Sequence, residues 1–217
     1  MNRSITYALL VVTVLCVSAQ AADEAHQHKA QEAIEKGIAF LRSTQAEDGS
    51  WTPQPGPAIT ALIGTAMLRQ DIAPDDPALV KAMAFIKTKQ KDDGGFYDRF
   101  LINYNTSIVL MMLSELDRTD PEIEQMIAGA QRCLKGLQYA GQTLEDGETV
   151  TESHPHFGGA GYGRHGRPDM SNTAMMLAAL HDSGLEPNDP AFVNAMVFIT
   201  QCQGVEQNKR LDRKSVV

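Results

Sequence analysis

The sequence predicts an all-α protein in which amphipathic outer helices alternate with apolar inner helices. One segment repeats after 45 residues, first over residues 36–51 and again over 81–96, and a period of this size is typical of stacked supersecondary units. Three further stretches, 58–68, 106–113 and 173–180, have almost no polar face, which is typical of helices buried on both sides. These stretches are rich in Ala, Leu and Met rather than in alternating β-branched residues, so no strand is predicted.

The two strong copies of the repeat share a pattern at the end of each predicted outer helix. A Lys, a small residue, a Phe and an aliphatic residue are followed by Gln, Gly and a second aromatic residue. Two weaker copies end at Gln138 and Gln203, and the longer spacing between these two predicts a loop inserted between Gly141 and Phe157. The repeat residues predicted to have a structural role are Gln45, Gly49, Trp51, Gln90, Gly94 and Phe96.

Three of the outer helices are predicted to start in the same way. Each begins with an Asp followed by a Pro, at residues 76–77, 120–121 and 189–190. The Asp side chain accepts a hydrogen bond from a free N–H group of the first turn, and Pro at the first helical position loses no hydrogen bond. Gly184 is predicted to end the last inner helix as a C-terminal cap.

The composition excludes one class of partner and favours a globular domain. The 217 residues include 19 basic and 27 acidic residues, a net charge of -8. Because phosphate binding needs a basic surface, no nucleic-acid partner is expected. Apolar residues make up 43% and charged residues 21% of the chain, as in globular proteins. Cys133 and Cys202 fall on apolar faces of predicted helices, so both are expected to be buried free thiols.

Residues 1–21 predict an export signal. Their apolar run, 9–17, is too short to span a bilayer, and Ala19-Gln20-Ala21 has the small-x-small pattern of a cleavage site. A buried N-terminal helix is the alternative, but the polarity rises abruptly at Asp23 and Glu24. We therefore expect a protein exported to the periplasm or the medium, without a transmembrane anchor after cleavage. The repeat domain is predicted over 22–205, and residues 206–217 are predicted to be a disordered or non-native tail.

The repeat pattern resembles that of squalene–hopene cyclases and oxidosqualene cyclases. Residues 36–51 match it from Lys36 to Trp51, and residues 81–96 match it with Phe96 in place of Trp. The chain therefore resembles the prenyltransferase and squalene oxidase repeat family over nearly its whole length after the export signal. The resemblance implies an α/α toroid in which inner helices surround an apolar cavity. It also implies that each Gln ties one outer helix to the next and that the aromatic ring stacks over it.

The resemblance further implies that the toroid is incomplete. The sequence predicts about seven helices, four outer and three inner, which is fewer than a closed toroid of this family has. An open toroid would leave apolar inner helices exposed, and large apolar patches favour association. A truncated chain is the favoured interpretation, and a half-toroid that self-associates through its open edge is the alternative.

The family has two kinds of catalytic motif, and the sequence departs from both. The cyclases carry an acidic Asp-x-Asp-Asp-Thr-Ala motif at the start of an inner helix, and the position taken as equivalent has Asn103 and Asn105 in place of carboxylates. The prenyltransferases hold zinc with an Asp-x-Cys pair and a later His. Here Asp169 matches, but Ser171 replaces the Cys, and Ser is a poor zinc ligand. No metal site and no cofactor are expected, and no catalytic residue is identified.

Polar and aromatic residues near the starts of the inner helices are the predicted ligand-lining residues: Asn103, Tyr104, Asn105, Tyr162, Asp169 and Asn172. Asp169 either caps its helix, which is favoured, or orients a ligand. His154, His156 and His165 lie in and beside a Gly-rich loop. A solvated polar loop is favoured there over a His-x-His metal site.

Three functions remain open on the sequence alone. The favoured one is an exported protein that binds an apolar, terpenoid-like molecule or a peptide in the toroid cavity. The second is a terpenoid cyclase or prenyltransferase whose catalytic half lies outside this sequence. The third is a carbohydrate lyase or hydrolase on a similar toroid, which would need paired carboxylates on the inner helices. The sequence does not supply such a pair, and whether the protein is an enzyme stays open.

Overall fold

The computed structural model of the protein describes residues 26–52, 54 and 56–203. The predicted export signal and the predicted tail at 206–217 lie outside these residues. The chain divides into two compact units, Met1–Gln45 and Ala46–Val217. In the first unit the described residues form helix α1, over 26–44. Gln45 follows this helix and is the last residue of the unit.

The second unit consists of six described helices that alternate between an inner and an outer layer. Helices α2 (Ala58–Leu68), α4 (Ile102–Ser114) and α6 (Met170–Asp182) are the inner helices, and α4 packs between the other two. Helices α3 (Pro77–Lys87), α5 (Pro121–Leu137) and α7 (Pro190–Cys202) are the outer ones, and each packs against the inner helix that precedes it. Over the described ranges there is no strand, only three isolated bridges. The predicted alternation of helices is confirmed.

The inner helices match their predicted positions, although two of them are longer. α2 has the predicted bounds, whereas α4 and α6 begin three or four residues earlier than the apolar stretches at 106–113 and 173–180. Their additional first turns contain polar residues, including Asn103 and Asn172, that are nevertheless fully buried. The apolar pattern missed these turns because hydrogen bonding, rather than an apolar side chain, makes their burial acceptable.

The predicted helix ends are confirmed. Asp76, Asp120 and Asp189 each accept a hydrogen bond from the N–H group two residues later, at 2.9, 2.8 and 2.9 Å. A Pro follows each of them at the first helical position. At the end of α6, Gly184 has a φ of 77° and its N–H donates to the carbonyl of His181, as in a glycine cap.

One hydrogen bond recurs in all three turns that lead from a repeat into an inner helix. The N–H of Trp51 donates to the hydroxyl of Thr60 on α2, and that of Phe96 donates to Thr106 on α4, both at 3.0 Å. The N–H of Ala160 donates to Thr173 on α6 at 2.9 Å. Ala160 thus takes the position of the aromatic residue in the third turn. The repeat pattern does not reveal these threonines because their distance from the repeat varies along the chain.

Glycines bring each turn against the next outer helix. Gly49, Gly94 and Gly158 have φ values of 87°, 87° and 83°, which favour glycine. A Cβ atom on them would lie 2.2 Å from the carbonyl oxygen of Lys81, 2.4 Å from that of Gly129 and 1.8 Å from that of Asn194. These positions leave no room for a side chain. Gly49 and Gly94 thus allow the turn to approach the next outer helix closely, and Gly158 does the same after the inserted loop.

The side chain of Gln138 joins two outer helices. Its amide group donates to the carbonyl of Gly158 at 2.9 Å and to that of Ala191 in the first turn of α7 at 2.8 Å. In the preceding repeat, Gln90 pairs with Phe96 in an isolated bridge, and its amide nitrogen lies next to Gly129 of α5. The tie that the family resemblance implies is thus present in the third repeat.

The core of the second unit lies between its two layers. Fully buried side chains there include Phe96, Leu110, Leu113, Leu134 and Leu180, and each contributes about 1.5–3 kcal/mol relative to an exposed position. Trp51 is also buried, at 5% exposure. None of the described helices is long and apolar enough to cross a membrane.

The two cysteines differ from each other. Both are free, and Cys133 is buried as predicted. Cys202 is exposed, so the prediction of a buried thiol is wrong there. It lies at the last residue of α7, where the described part of the chain packs less closely around the helix than it does around α5.

Candidate functional site

Asn103 is a buried link between two inner helices. Its side-chain amide donates to the carbonyl of Gly161 and to that of Asn172, both at 3.0 Å. Its side-chain oxygen accepts a hydrogen bond from the hydroxyl of Ser107, also at 3.0 Å. The residue has no exposed surface. In this arrangement all the hydrogen-bonding groups of the amide are engaged, which joins the start of α4 to the start of α6.

Asn105 makes the equivalent link on the other side of α4. Its side-chain oxygen accepts a hydrogen bond from the N–H of Ala58, the first residue of α2, at 3.1 Å. Its amide donates to the carbonyls of Phe100 and Leu101, at 3.2 and 3.1 Å. Leu101 has a φ of 55°, which is unfavourable for a branched residue. Asn105 therefore holds a strained turn as well as a neighbouring helix.

Tyr104 and Tyr162 form a stacked pair at the start of α4. Their ring centroids are 5.9 Å apart and the ring planes are inclined by 28°. The hydroxyl of Tyr104 is hydrogen-bonded to that of Ser171 on α6, and the N–H of Asn103 donates to the carbonyl of Tyr162. The structure thus brings Tyr104 and Tyr162 together with Ser171, which stands where the prenyltransferases have a zinc-binding Cys.

Asp169 caps α6. One carboxylate oxygen accepts from the N–H of Asn172 at 2.8 Å, and the other accepts from the side-chain amide of Asn172 at 2.6 Å. The favoured interpretation of Asp169 as a cap is confirmed. The side-chain oxygen of Asn172 is buried without a hydrogen-bond partner, an unusual state for a buried polar atom.

The inner helices carry exposed apolar side chains in addition to their buried ones. Leu62 is 54% exposed and Ile59 is 38% exposed on α2, Met170 is 42% exposed on α6, and Tyr162 before α6 is 55% exposed. Partly exposed residues of the same helices extend this surface: Ile63, Tyr104, Ile108, Met111 and Met175. We call all these residues together the inner-helix face. It is apolar except near its Tyr104–Ser171 end.

Backbone hydrogen bonds hold the inserted loop together. Two backbone hydrogen bonds join its two ends. The N–H of Gly141 donates to the carbonyl of Val150, and the N–H of Val150 donates to the carbonyl of Gln142, both at 2.9 Å. His154 is only 8% exposed, and its ring lies 4.9 Å from the ring of His156. The interpretation of His154 as part of a solvated loop is therefore wrong. His165 is 83% exposed, as expected for a solvated residue.

No metal centre is formed where the structure describes the chain. Across 26–52, 54 and 56–203, no three His, Cys, Asp or Glu side chains come together in a way that could hold a metal ion. His154 instead accepts a hydrogen bond through Nδ1 from the N–H of His156, at 3.0 Å. The His-x-His spacing thus forms a local turn contact.

A charged cluster ties the segment after the inserted loop to the second repeat. One oxygen of Asp93 accepts from Arg164 at 2.6 Å and from the hydroxyl of Tyr97 at 2.8 Å. The other accepts from the N–H of Gly95 at 2.9 Å. Burial alone would raise the pKa of Asp93, but these hydrogen bonds and the charge of Arg164 hold that pKa below its ordinary value. Asp93 is therefore ionised and structural.

Comparison with known families now adds to this geometry. The sequence model of the squalene-hopene cyclase C-terminal domain matches residues 52–203. The chain belongs to this family. The match agrees with the predicted resemblance and with an α/α toroid fold. A search of curated proteins found no significant match to the chain.

The family motif is placed better on α6 than on α4. Residues 169–174 read Asp-Met-Ser-Asn-Thr-Ala and align with the cyclase pattern Asp-x-Asp-Asp-Thr-Ala. Asp169, Thr173 and Ala174 agree with the pattern, whereas Ser171 and Asn172 replace its second and third carboxylates. The prediction that residues 103–107 correspond to this motif is therefore replaced by residues 169–174. The Thr-Ala pair after Asn172 was the signal that would have located it.

Proposed function

We propose that the protein binds an apolar, terpenoid-like molecule on the inner-helix face. The observation that carries this proposal is the exposure of Leu62 and Ile59 on an inner helix of a cyclase-type fold. Burying one such side chain against a ligand contributes about 1.5–3 kcal/mol. A contiguous set of exposed apolar side chains is also what an apolar ligand site requires.

Binding is proposed in place of cyclisation because two of the three aligned acid positions hold no carboxyl group and the third is used in a helix cap. Initiation of a cyclase reaction requires a proton donor strong enough to protonate an alkene or an epoxide. Ser171 and Asn172 carry a hydroxyl and an amide, which are far weaker acids than a carboxyl group. The one carboxylate that aligns with the motif, Asp169, accepts two hydrogen bonds in a helix cap.

Binding of radiolabelled squalene, measured by gel filtration of the full chain in detergent, tests the proposal. Leu62→Gln is expected to weaken binding by about tenfold or more, since a polar side chain replaces an apolar one that the bound ligand would cover. Val80→Gln on α3 is the matched control, because Val80 is 52% exposed on an outer helix. Equal binding of squalene by the two variants would contradict the proposal. It would also be contradicted if the unmodified protein bound neither squalene nor farnesol, a shorter terpenoid tested in the same way.

Product analysis of the same samples separates binding from catalysis. After incubation with squalene, extraction is expected to recover squalene alone. Detection of a cyclic triterpene by gas chromatography would replace the proposed binding function with the cyclase alternative. Binding of an unstructured peptide in competition with squalene would instead favour the peptide alternative.

We also propose that the protein is exported. The support is the apolar run over 9–17 followed by Ala19-Gln20-Ala21, the order of features found in signal peptides. N-terminal sequencing of the protein secreted from an expressing cell is expected to begin at Ala22. A soluble cytosolic product that retains Met1 would contradict this proposal.

A further inference from the structure

A cavity lies beside the inserted loop, apart from the inner-helix face. Its volume is about 820 Å³, and it is bounded by the end of α5, by residues 142–146 and by residues 156–166. Its lining includes Tyr139, Gln142, Glu145, His156 and Arg164, none of which belongs to the inner-helix face. The size is in the range of small-molecule sites. We call this cavity the loop pocket.

The walls of the loop pocket are held in place by hydrogen bonds within the protein. The hydroxyl of Tyr139 donates to the carbonyl of Gly166, which joins the end of α5 to the far wall. The side-chain oxygen of Gln142 accepts from the N–H of Ala140 at 2.6 Å. Tyr139 is 4% exposed, so its ring forms part of a fixed floor. A cavity with a fixed floor and wall is preformed, which lowers the entropic cost of binding.

The cationic side chains that line the loop pocket are already paired. Lys135 lies 2.6 Å from Asp189, and Arg164 lies 2.6 Å from Asp93. Across the rim, Glu145 lies 3.6 Å from His165. An anionic ligand would have to compete with two carboxylates for the cations. The described residues also offer no group of three ligands to a metal cation. The paired cations therefore disfavour an anionic occupant. The carboxylates of Glu145 and Asp146 in the lining favour an occupant with hydrogen-bond donors such as hydroxyl groups.

His156 supplies the uncharged hydrogen-bonding group of the pocket. Its ring packs edge-on against the rings of Tyr139 and His154, at 5.5 and 4.9 Å between centroids. Burial, together with the nearby His154 and Arg167, holds the pKa of His156 below its ordinary value, so the ring is neutral at pH 7. Its Nδ1 is buried without a hydrogen-bond partner, an unusual state for a buried polar atom.

We propose that the loop pocket binds a neutral carbohydrate. A sugar hydroxyl both donates and accepts hydrogen bonds, so it suits a lining in which the imidazole of His156, the carboxylate of Glu145 and backbone groups alternate. A neutral sugar requires none of the paired cations to be released. The half-buried ring of His156 adds apolar surface for the C–H groups of a pyranose.

A glycan array probed with the labelled full-length chain tests this proposal. The array carries neutral oligosaccharides together with sialylated and sulfated ones, and the strongest neutral glycan is then titrated by calorimetry. His156→Ala and Glu145→Ala are each expected to weaken its binding by about tenfold, the effect of one hydrogen bond. His181→Ala is the matched control, because His181 is 80% exposed at the end of α6 and should leave the affinity unchanged.

The outcomes separate this proposal from the proposed function. Since Glu145 is 92% exposed, Glu145→Ala keeps the fold and keeps the test valid even if His156→Ala unfolds. No bound neutral glycan, binding of charged glycans alone, or an unchanged affinity in Glu145→Ala would each overturn the proposal. Leu62→Gln should leave glycan binding unchanged, and squalene binding should be unchanged in Glu145→Ala, so either proposal can fail without the other.

Discussion

The side-chain oxygen of Asn105 accepts a hydrogen bond from the backbone N–H of Ala58, 47 residues earlier in the chain, at 3.1 Å. Ala58 is the first residue of α2, and no side chain of its own segment caps that helix. Free N–H groups at a helix start need an acceptor when they are buried. Asn105 thus serves as the cap of a helix to which it does not belong, while its amide holds the turn before α4.

Replacing Asn105 tests this double role. Asn105→Ala removes the side-chain hydrogen bonds to Ala58, Phe100 and Leu101 and should lower the free energy of unfolding by about 1–3 kcal/mol. Asn105→Asp keeps the acceptor for Ala58 but places a buried carboxylate against the carbonyls of Phe100 and Leu101. Its loss of stability at pH 7 should therefore exceed that of Asn105→Ala, as measured by urea unfolding.

The pH dependence of the Asn105→Asp variant provides the control. Burial and the two carbonyls disfavour the ionised form, so the pKa of the new carboxyl group is higher in the folded state than in the unfolded state. The destabilisation relative to the unmodified protein is then complete above the folded-state pKa, and it shrinks as the pH falls towards the unfolded-state value. For Asn105→Ala the difference should not change with pH. A pH-independent difference for Asn105→Asp would contradict the assigned contacts.

The recurring Thr hydroxyl offers a second prediction. Thr106 is buried and accepts from the N–H of Phe96, so Thr106→Val leaves that N–H without a partner at nearly constant volume. The expected loss of stability is about 1–3 kcal/mol. Thr106→Ser keeps the hydroxyl and should cost only about 0.8 kcal/mol for the missing methyl group. If urea unfolding shows that Ser is as damaging as Val, the methyl contact matters more than the hydrogen bond.

Replacing two glycines by Ala should change the stability of the protein in opposite directions. Gly158→Ala would place a methyl group 1.8 Å from the carbonyl oxygen of Asn194, at a φ of 83°. It should cost at least about 2 kcal/mol. Gly136→Ala, inside α5, meets no atom within 4 Å and should stabilise the protein by about 0.5–1 kcal/mol. Differential scanning calorimetry of both variants checks the contrast, and a Gly158→Ala protein that melts normally would exclude the close approach.

The sequence predicts the helical layers well because their cause is local. An Asp-Pro pair caps the helix that it begins. The apolar stretch at 58–68 has the length and composition of an inner helix, and α2 has the predicted bounds. The repeat also locates Gly94, because the turn that needs a positive φ recurs with the pattern. These features depend on residues that are close together in the chain.

The candidate site is harder to predict because its contacts are distant in sequence. Asn103 reaches the carbonyl of Asn172, 69 residues later, and a polar residue on an inner helix looks the same in the sequence whether it faces a ligand or a backbone carbonyl. The loop pocket depends in the same way on how residues 142–146 fold back towards Arg164. The burial of His154 also follows from this folded loop and not from the polar composition of its segment.

The two thiols should differ sharply in reactivity. Alkylation requires the thiolate. The pKa of Cys133 is raised to about 11. Burial is the main cause, and the nearby charge of Asp93 is the second. Burial also raises the pKa of Cys202, but that side chain is exposed to reagent. Iodoacetamide at pH 8 should therefore label Cys202 in the folded protein and leave Cys133 unmodified, as read by peptide mass spectrometry.

Two comparisons make this last prediction decisive. Cys202→Ser should leave the folded protein unlabelled at pH 8, and addition of urea to the same sample should then expose Cys133 to labelling, because unfolding removes the burial that raises its pKa. In the folded variant the labelling rate should rise with pH as the thiolate fraction grows, and it should level off near the raised pKa of about 11. Labelling of Cys133 at pH 8 as fast as that of Cys202 would mean that helix α5 does not pack against the Asp93 turn as described.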